Sequence, residues 1–510
     1  MAGAEFRKLQ TGRAAVNSPR GVFSFTGQYT GYAPADFMLG LILSDTTPGP
    51  EVRGLVAEWR YGLFVLDKWQ VSRKLTMNIG LRYELPTVPY TVNGYATLLN
   101  PEQTALIPPN PPVPGFKFIN PNHKDWAPRI GLAYRLSEKT VLRLGYGIYY
   151  NPNQTNSFTF LNTNPPFSPV ITFTSAPTVP TYTLANPTGT ASTNPPNVIT
   201  DNPNLPTAYM NQWSFGIDRE LWRGSGLELQ YLGSHSMHLD RSYFNNTPPP
   251  GPGLVNSRRP NRLFNVIRTI QNDEIANYEG LSVVVRQRMS RGLLFRGSYT
   301  WSHTQDVTTD SNGGGAPMNP YDWRADYANA NWDIRHRLTG GVVYEIPIFH
   351  TTNAFLRGAF GAWQMNALFI AQTGLPFNVA SSIDTANTSA GGLARPNLVH
   401  APSSNCGNGH LANCIDATAY ALPPKDVYVY GNAGRNVLHG PGLFNIDYSL
   451  FKNFPIKERL KLQFRAEFFN FLNHPNFSNP ASTFGTVSFG SVTSTSTENR
   501  DIQFGLKLLF

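Results

Sequence analysis

The sequence predicts an all-β protein whose antiparallel strands, about fourteen in number, form a membrane-spanning barrel. Three observations lead to this prediction. Charged residues make up only 14% of the 510-residue chain, whereas ordinary globular domains carry about a quarter. Segment after segment is apolar at every second position. The connections between these segments are short and long in alternation, and the 44 Gly and 42 Pro supply many turns. The composition argues against a coiled coil, a helical bundle or general disorder.

The first half of the chain contains seven alternating segments. In one of them, the odd positions 75–83 are Leu, Met, Ile, Leu and Tyr, and the even positions are Thr, Asn, Gly and Arg. One face of such a strand is apolar and the other is polar or small. The predicted strands of this half are Val22–Phe25, Tyr61–Trp69, Leu75–Tyr83, Ile130–Leu136, Leu142–Tyr150, Trp213–Ile217 and Leu227–Tyr231.

Residues 1–19 are predicted to be an irregular or non-native lead, and residues 20–510 to form the barrel. The opening residues contain no apolar stretch of the signal-peptide type. We therefore expect an exported form of this protein to have further residues upstream.

The second half contains seven more alternating segments, and the last of them is apolar at every second residue through Phe510. Roughly ten alternating residues in a tilted strand cross the hydrocarbon core of a bilayer. The predicted strands of this half are Leu281–Arg286, Leu293–Trp301, Leu338–Ile346, Trp363–Gln372, Phe444–Leu450, Leu460–Phe468 and Ile502–Phe510.

The connections favour a membrane barrel over a soluble sandwich. Structureless loops longer than about 15 residues are uncommon in soluble domains, whereas outer-membrane barrels combine short periplasmic turns with long external loops. The sequence therefore predicts the cell outer membrane as the location. Short connections lie near 72–74, 137–139, 221–225, 290–292 and 454–458, and long ones at about 85–127, 151–210, 235–278, 303–334 and 374–442.

Charged residues recur on the polar side of the predicted strands. Burying unpaired charge in a dry core costs several kcal/mol, so we expect these side chains to line a wet or plugged lumen. The arginines can attract an anionic solute, or they can pair with cross-strand Glu or Asp or with carboxylates of a plug. The lumen candidates are Arg82, Glu84, Arg135, Arg143, Glu228, Arg286, Arg296, Lys461, Arg465 and Glu467.

Aromatic residues lie toward the ends of the predicted strands, where the interfacial girdles of membrane barrels form. Aromatic residues are also common at strand ends of soluble sheets, so this feature adds only modest support. The set comprises Trp59, Trp69, Tyr83, Tyr134, Tyr150, Trp213, Tyr231, Tyr299, Trp301 and Tyr344.

Cys406 and Cys414 lie in one long connection with His410 between them. In an extracellular loop an oxidising environment favours a disulfide. The alternative is a metal site, but two Cys and one His do not complete a tetrahedral ligand set. We expect no metal and no cofactor, and the absence of the common catalytic motifs predicts a protein that is not an enzyme. The net charge of +9 is diffuse, so nucleic acid is not an expected partner.

Four stretches resemble a known family: Trp69–Glu84, Ala127–Arg135, Phe464–Phe477 and the terminal strand with Phe510. They are similar to the β-barrel of TonB-dependent outer-membrane receptors, especially the Oar-like branch. The resemblance implies the C-terminal portion of a 22-stranded barrel that surrounds a plug and admits a solute with energy from TonB. It implies outer-membrane lipid and the barrel-assembly machinery as partners, with Phe510 as the assembly signal. Contact with TonB would need a plug and a TonB box, which this sequence does not show.

Two other functions remain open at this point. One is an autonomous passive channel of about fourteen strands, which predicts that the strand near 20–26 pairs with the strand at 502–510. The other is a soluble extracellular β-protein that binds glycans or adheres to surfaces, which predicts that the apolar strand faces pack against each other. The sequence does not determine the ligand or the oligomeric state.

Overall fold

A computed structural model describes the chain except for residues 15–19, 48–50, 153–154, 168–170, 177, 188–194, 310–315, 348–359, 408, 425 and 457–459. The dominant feature is one large sheet built from fourteen long strands. They are β1 (Ala2–Ala14), β2 (Arg53–Gln70), β3 (Leu75–Pro86), β4 (Asp125–Ser137), β5 (Thr140–Asn151), β6 (Ala208–Glu220), β7 (Ser225–Phe244), β8 (Ile267–Ser290), β9 (Leu293–Asp306), β10 (His336–Glu345), β11 (Trp363–Gln372), β12 (Leu443–Pro455), β13 (Lys461–Phe469) and β14 (Asp501–Leu509).

Each long strand pairs antiparallel with the next one along the chain, from β1 to β14. The connection between β10 and β11, residues 346–362, is longer but lies on the same rim as the short turns. Apart from it, this up-and-down order puts the short turns on one rim of the sheet and the long connections on the other. We call these the turn rim and the loop rim. The turns at 71–74, 138–139, 221–224 and 291–292 are four residues or shorter, which confirms the predicted alternation of connections.

The first and last long strands are the edges of the sheet. Within the described residues, no backbone pairing joins β1 to β14. The segment near 20–26 does not close the sheet either, because Val22–Ser24 pairs with Ser44–Thr47 outside it. The pairing that an autonomous fourteen-stranded channel predicts is therefore not seen in the described part of the chain.

The start of the chain corrects the sequence prediction. Ala2–Ala14 is not an irregular lead but strand β1, paired with β2 over all 13 residues. The alternation was weak because only one large apolar side chain, Phe6, lies on its apolar side, among Ala2, Ala4 and Lys8. Val22–Ser24 takes no part in the large sheet, so the prediction of a barrel strand there is wrong. The count of fourteen long strands nevertheless holds.

Two strands extend far beyond their predicted ends. β7 has 20 residues and β8 has 24, about twice the number that crosses a bilayer. Their extensions stand above the loop rim and pair with each other from Leu239 to Phe244 and from Arg268 to Glu274. Val198–Asp201 adds to this extension in parallel with β8.

The long connections fold into ordered structure over the loop rim. The apolar clusters of buried residues lie at this end of the sheet: Phe158 and Leu161 pack with Val56 of β2 in one cluster, and Ile415 and Ala419 belong to another. No helix among the described residues is long and apolar enough to cross a membrane. The helical segments are Ala33–Leu39, Thr155–Thr159, Phe160–Thr163, Val255–Arg258, Trp323–Asp326 and Ala417–Ala419.

The remaining described strands are two to four residues long and lie mostly in these connections. They are Val22–Ser24, Leu41–Ile42, Ser44–Thr47, Tyr90–Thr91, Leu98–Leu99, Leu106–Ile107, Ile171–Thr174, Tyr182–Thr183, Val198–Asp201, Ala328–Asn329, Pro376–Phe377, Ala380–Ser381, Asn397–Leu398, Tyr420–Ala421, Leu438–His439 and Thr483–Phe484.

Candidate functional site

The strand register assigns every side chain of the large sheet to one of two faces, because residues directly opposite each other in neighbouring strands point the same way. Arg82 lies opposite Ala127, and the register continues strand by strand to Glu467. All ten lumen candidates fall on the same face, which we call the polar face. The opposite one is the outer face.

The outer face is apolar and open to its surroundings. Many large apolar side chains along its middle are exposed, including Leu63 at 53%, Leu144 at 50% and Phe504 at 67%. A soluble sheet of this size would cover such a surface. The ten aromatic residues singled out in the sequence all lie on this face by register, and Tyr83 stacks on Trp126 with ring centroids 4.3 Å apart.

Ion pairs cover one end of the polar face. The Arg82 guanidinium lies between two carboxylates, with Nη2 2.9 Å from Glu5 Oε2 and 3.2 Å from Glu84 Oε2. It occupies the space above Gly62, where an added Cβ would lie 2.3 Å from Arg82 Nη2. Glycine at this position therefore leaves room for the guanidinium to bridge three strands, β1, β2 and β3.

Further pairs continue across the polar face. Arg143 Nε donates to Asp218 Oδ2 at 2.6 Å, and Arg465 Nη2 lies 3.0 Å from Glu467 Oε1. A groove of about 260 Å³ opens on this face beside Arg143 and Glu228. Both signs of charge and two glycines, Gly131 and Gly216, border it, so the groove suits a polar solute.

Four cationic lumen candidates have no carboxylate at ion-pair distance among the described residues. They are Arg135, Arg286, Arg296 and Lys461. Glu228 likewise has no cationic side chain at that distance among the described residues. Arg82, Arg143 and Arg465 pair with carboxylates, whereas Arg286 and Arg296 pair with none among the described residues.

A second concave space lies above the loop rim, between the connections 307–335 and 373–442. This cavity has a volume of about 320 Å³ and is bordered by Arg395, Arg435 and Asp326. Arg435 Nη2 donates to Asp306 Oδ1 at 2.6 Å, and its Nη1 donates to the Asp306 carbonyl at 2.8 Å. Arg395 pairs with Asp326 in the same cluster. Buried ion pairs therefore tie the two connections together.

One buried carboxyl near this rim has no hydrogen-bond partner among the described residues. Both oxygens of Asp201 are enclosed, and burial raises the pKa of Asp201 to about 7, against an opposing effect of Arg268. Asp201 is therefore protonated in part at neutral pH.

The remaining predicted residues lie on the two rims. Cys406 and Cys414 form a disulfide in the connection before β12, and Cys414 is buried in an apolar cluster with Ile415. His410 between them is exposed. Phe510 follows the last residue of β14 and is 97% exposed.

Sequence reasoning did not find several charged residues of the polar face. Glu5 and Arg7 were missed because β1 was predicted to be irregular. Glu58 and Arg60 lie at the start of β2, where the alternation is poor because the extended strand begins beneath the long connections. The pairing of β1 with β2 places these residues on the polar face, and the alternation within each segment alone does not reveal it.

The sequence matches the model of one protein family, described as an outer membrane beta barrel domain, over residues 1–503. The chain therefore belongs to the outer membrane β-barrel family, and its location is the cell outer membrane. This confirms the predicted fold class and the resemblance to outer-membrane barrels.

The chain also aligns with solved structures of outer-membrane receptors. The chain aligns with the ferric enterobactin receptor of Pseudomonas aeruginosa at 12% identity and a TM-score of 0.46, covering 99% of this chain and 54% of that one. It aligns with the pyoverdine receptor of the same organism at 11% identity and a TM-score of 0.44, covering 91% of this chain and 43% of that one. It aligns with the ferric preacinetobactin receptor of Acinetobacter baumannii at 13% identity and a TM-score of 0.43, covering 90% of this chain and 44% of that one. The chain thus spans about half the length of these receptors or less. No curated protein matches the sequence significantly.

Proposed function

We propose that this chain is the barrel portion of an outer-membrane receptor that binds a solute on the loop side and admits it along the polar face. The observation that carries the proposal is the division of one sheet into an exposed apolar face and a charged face. Lipid favours apolar side chains on the outside of a barrel, and a wet interior accepts charged ones. The polar face then lines the lumen.

The ordered loop rim supports a receptor over a simple pore. Buried ion pairs and a disulfide hold the long connections, and a cavity of about 320 Å³ lies among them. A fixed, concave and polar surface suits selective capture of a small ligand. We propose capture at this rim, passage over the charged lumen and release on the turn side.

The unpaired edges bear on the choice between receptor and passive channel. Lipid offers no hydrogen bonds to backbone groups, so a spanning sheet needs partners at both edges. The described strands do not provide them for β1 and β14. We therefore favour a larger barrel to which this sheet contributes, with TonB supplying energy as in the receptors it resembles, over an autonomous channel of fourteen strands.

The test combines location, folding and permeability of the full-length protein with its native upstream region. We expect it in the outer-membrane fraction, with electrophoretic migration that changes on boiling. Influx of the chromogenic β-lactam nitrocefin should stay at the level of the host without the protein, since a receptor is closed at rest. Raised influx that is equal in hosts with and without TonB would support the passive channel. A soluble protein that migrates identically before and after boiling would overturn the barrel function and support the adhesive alternative.

A further inference from the structure

Two arginines of the polar face lie directly opposite each other in neighbouring strands. Arg286 of β8 pairs in register with Arg296 of β9, and both side chains are exposed. Directly opposite residues of an antiparallel pair have Cβ atoms about 5 Å apart, and like charges there are destabilising. Such a pair needs a compensating negative charge.

The same sheet shows how an arginine pair is compensated. Arg7 of β1 lies opposite Arg60 of β2, and the structure gives each a carboxylate: Arg7 pairs with Glu5, and Arg60 pairs with Glu58. Carboxylates of the chain therefore neutralise both of these arginines.

The Arg286–Arg296 pair differs in this respect. Among the described residues no carboxylate lies at ion-pair distance from either guanidinium. The nearest carboxylate by register is Glu228, which lies opposite Val284, two residues from Arg286 on the same face. It makes no ion pair with Arg286 and instead borders the neighbouring groove.

The surroundings of the pair leave space above it. Arg286 lies opposite Gly226 on one side, and Arg296 lies opposite Gly341 on the other. An added Cβ at Gly226 would lie 3.1 Å from Arg286 Nε, so the guanidinium leans across the glycine. Ser298 lies on the same face two residues from Arg296 and adds a hydroxyl donor.

We propose that Arg286 and Arg296 form an oxyanion site that binds a carboxylate or phosphate group of the transported solute. Two guanidinium groups present planar donor forks that fit either group with paired hydrogen bonds. The anion would neutralise the like-charge pair. This site deepens the proposed function, because it rests on the polar face lining the lumen and specifies an anionic class of solute.

The test is titration calorimetry on the full-length protein in a zwitterionic detergent at low, fixed ionic strength. Inorganic phosphate and citrate are the two probes, so the arms separate phosphate from carboxylate recognition. The test variant is R286Q/R296Q, and the matched control is R7Q/R60Q, which removes the compensated pair. We expect affinity for at least one probe to fall by about tenfold or more in the test variant and by less than about twofold in the control. Glu228→Gln should strengthen binding, because it removes the nearest negative charge.

A second variant keeps the proposal testable if R286Q/R296Q does not fold. R286K/R296K retains both charges but lacks the forks, and it should bind the probes more weakly than the native protein. Equal losses in R286Q/R296Q and R7Q/R60Q, or unchanged affinity in both, would overturn the proposal. Calorimetry measures anion binding and not transport. A negative result would therefore reject the anion site alone, while heat-modifiable migration and nitrocefin influx test the receptor function separately.

Discussion

Arg82 shows how single residues stabilise the polar face. It is the only side chain in the described ion pairs that joins carboxylates from two other positions of the sheet, Glu5 and Glu84. Gly62 beneath it keeps the guanidinium in place. Removing Arg82 leaves Glu84 without an ion-pair partner among the described residues, whereas removing Arg7 leaves Glu5 still paired with Arg82.

The unfolding temperature of the barrel can be read from the temperature at which its electrophoretic migration changes. We therefore expect Arg82→Gln to lower this temperature by about 2–5 °C. Arg7→Gln is the control and should shift it by less. Gly62→Val should resemble Arg82→Gln, because its side chain would displace the guanidinium. Equal effects of Arg7→Gln and Arg82→Gln would show that the bridging position has no special role.

Asp201 gives the loop rim a pH dependence. Its pKa of about 7 lies above the ordinary aspartate value because of burial, so the folded state binds a proton that the unfolded segment releases. The stabilisation is present at low pH and is lost as pH rises toward and through 7. We expect hydrogen exchange in residues 195–207 to be about tenfold faster, relative to the intrinsic rate, at pH 8 than at pH 5.

Asp201→Asn should remove this difference, because the amide does not ionise. Asp416→Asn is the control. The Thr418 hydroxyl donates to the Asp416 carboxylate and lowers its pKa, so Asp416 stays ionised between pH 5 and pH 8. A pH dependence that persists in Asp201→Asn would mean that another group causes it.

At the scale of the elements, the disulfide is a local clamp. Cys406 and Cys414 are eight positions apart, and closing so small a loop stabilises it by about 2–3 kcal/mol in the chain-entropy model. We expect C406S/C414S to expose residues 403–416 to protease while boiling-dependent migration of the barrel stays unchanged. Loss of both together would indicate that the clamp supports the whole sheet.

Arg435 links two long connections to the end of β9. Its pair with Asp306 is buried, with 9% and 7% of the side chains exposed, and breaking such a pair by removing one partner costs about 3–5 kcal/mol. We expect Arg435→Met to increase hydrogen exchange in residues 316–335 and 426–442. Arg435→Lys should give a smaller increase, since the charge remains. Arg324→Gln, which removes an exposed arginine of the connection 307–335, should have little effect.

The elements also show where periodicity in the sequence is informative. Alternation identified the strands whose two faces meet lipid-like and polar surroundings, such as β3 and β14. It failed for β1, whose outer face carries small and polar residues, and for the extensions of β7 and β8, which are covered by loops on both sides. A period of two appears only where the two faces of a strand meet different environments.

For the whole molecule, the partition into two faces predicts opposite tolerance to charge. Leu144 lies on the outer face and is 50% exposed. Arginine at such a lipid-facing position costs about 2–4 kcal/mol near the middle of a bilayer. We expect Leu144→Arg to reduce the yield of heat-modifiable protein in the outer membrane at least several-fold.

Gln230→Arg provides the comparison on the opposite side of the sheet. Gln230 is exposed on the polar face beside the groove, so an added charge there remains in water. Yield should stay close to that of the native protein. Equal loss in both variants would contradict the assignment of the two faces.

The sequence by itself determined thirteen of the fourteen long strands, most of the alternation of short and long connections, and the membership of ten charged residues in one face. These features follow from side chains two positions apart, which a strand places on the same side. Only the tertiary structure decided which charges are neutralised. Arg82 meets Glu5 across 77 positions, Arg435 meets Asp306 across 129, and Arg286 meets another arginine. Pairing across strands depends on register, and register is fixed by the whole sheet because each strand aligns with its neighbour through backbone hydrogen bonds.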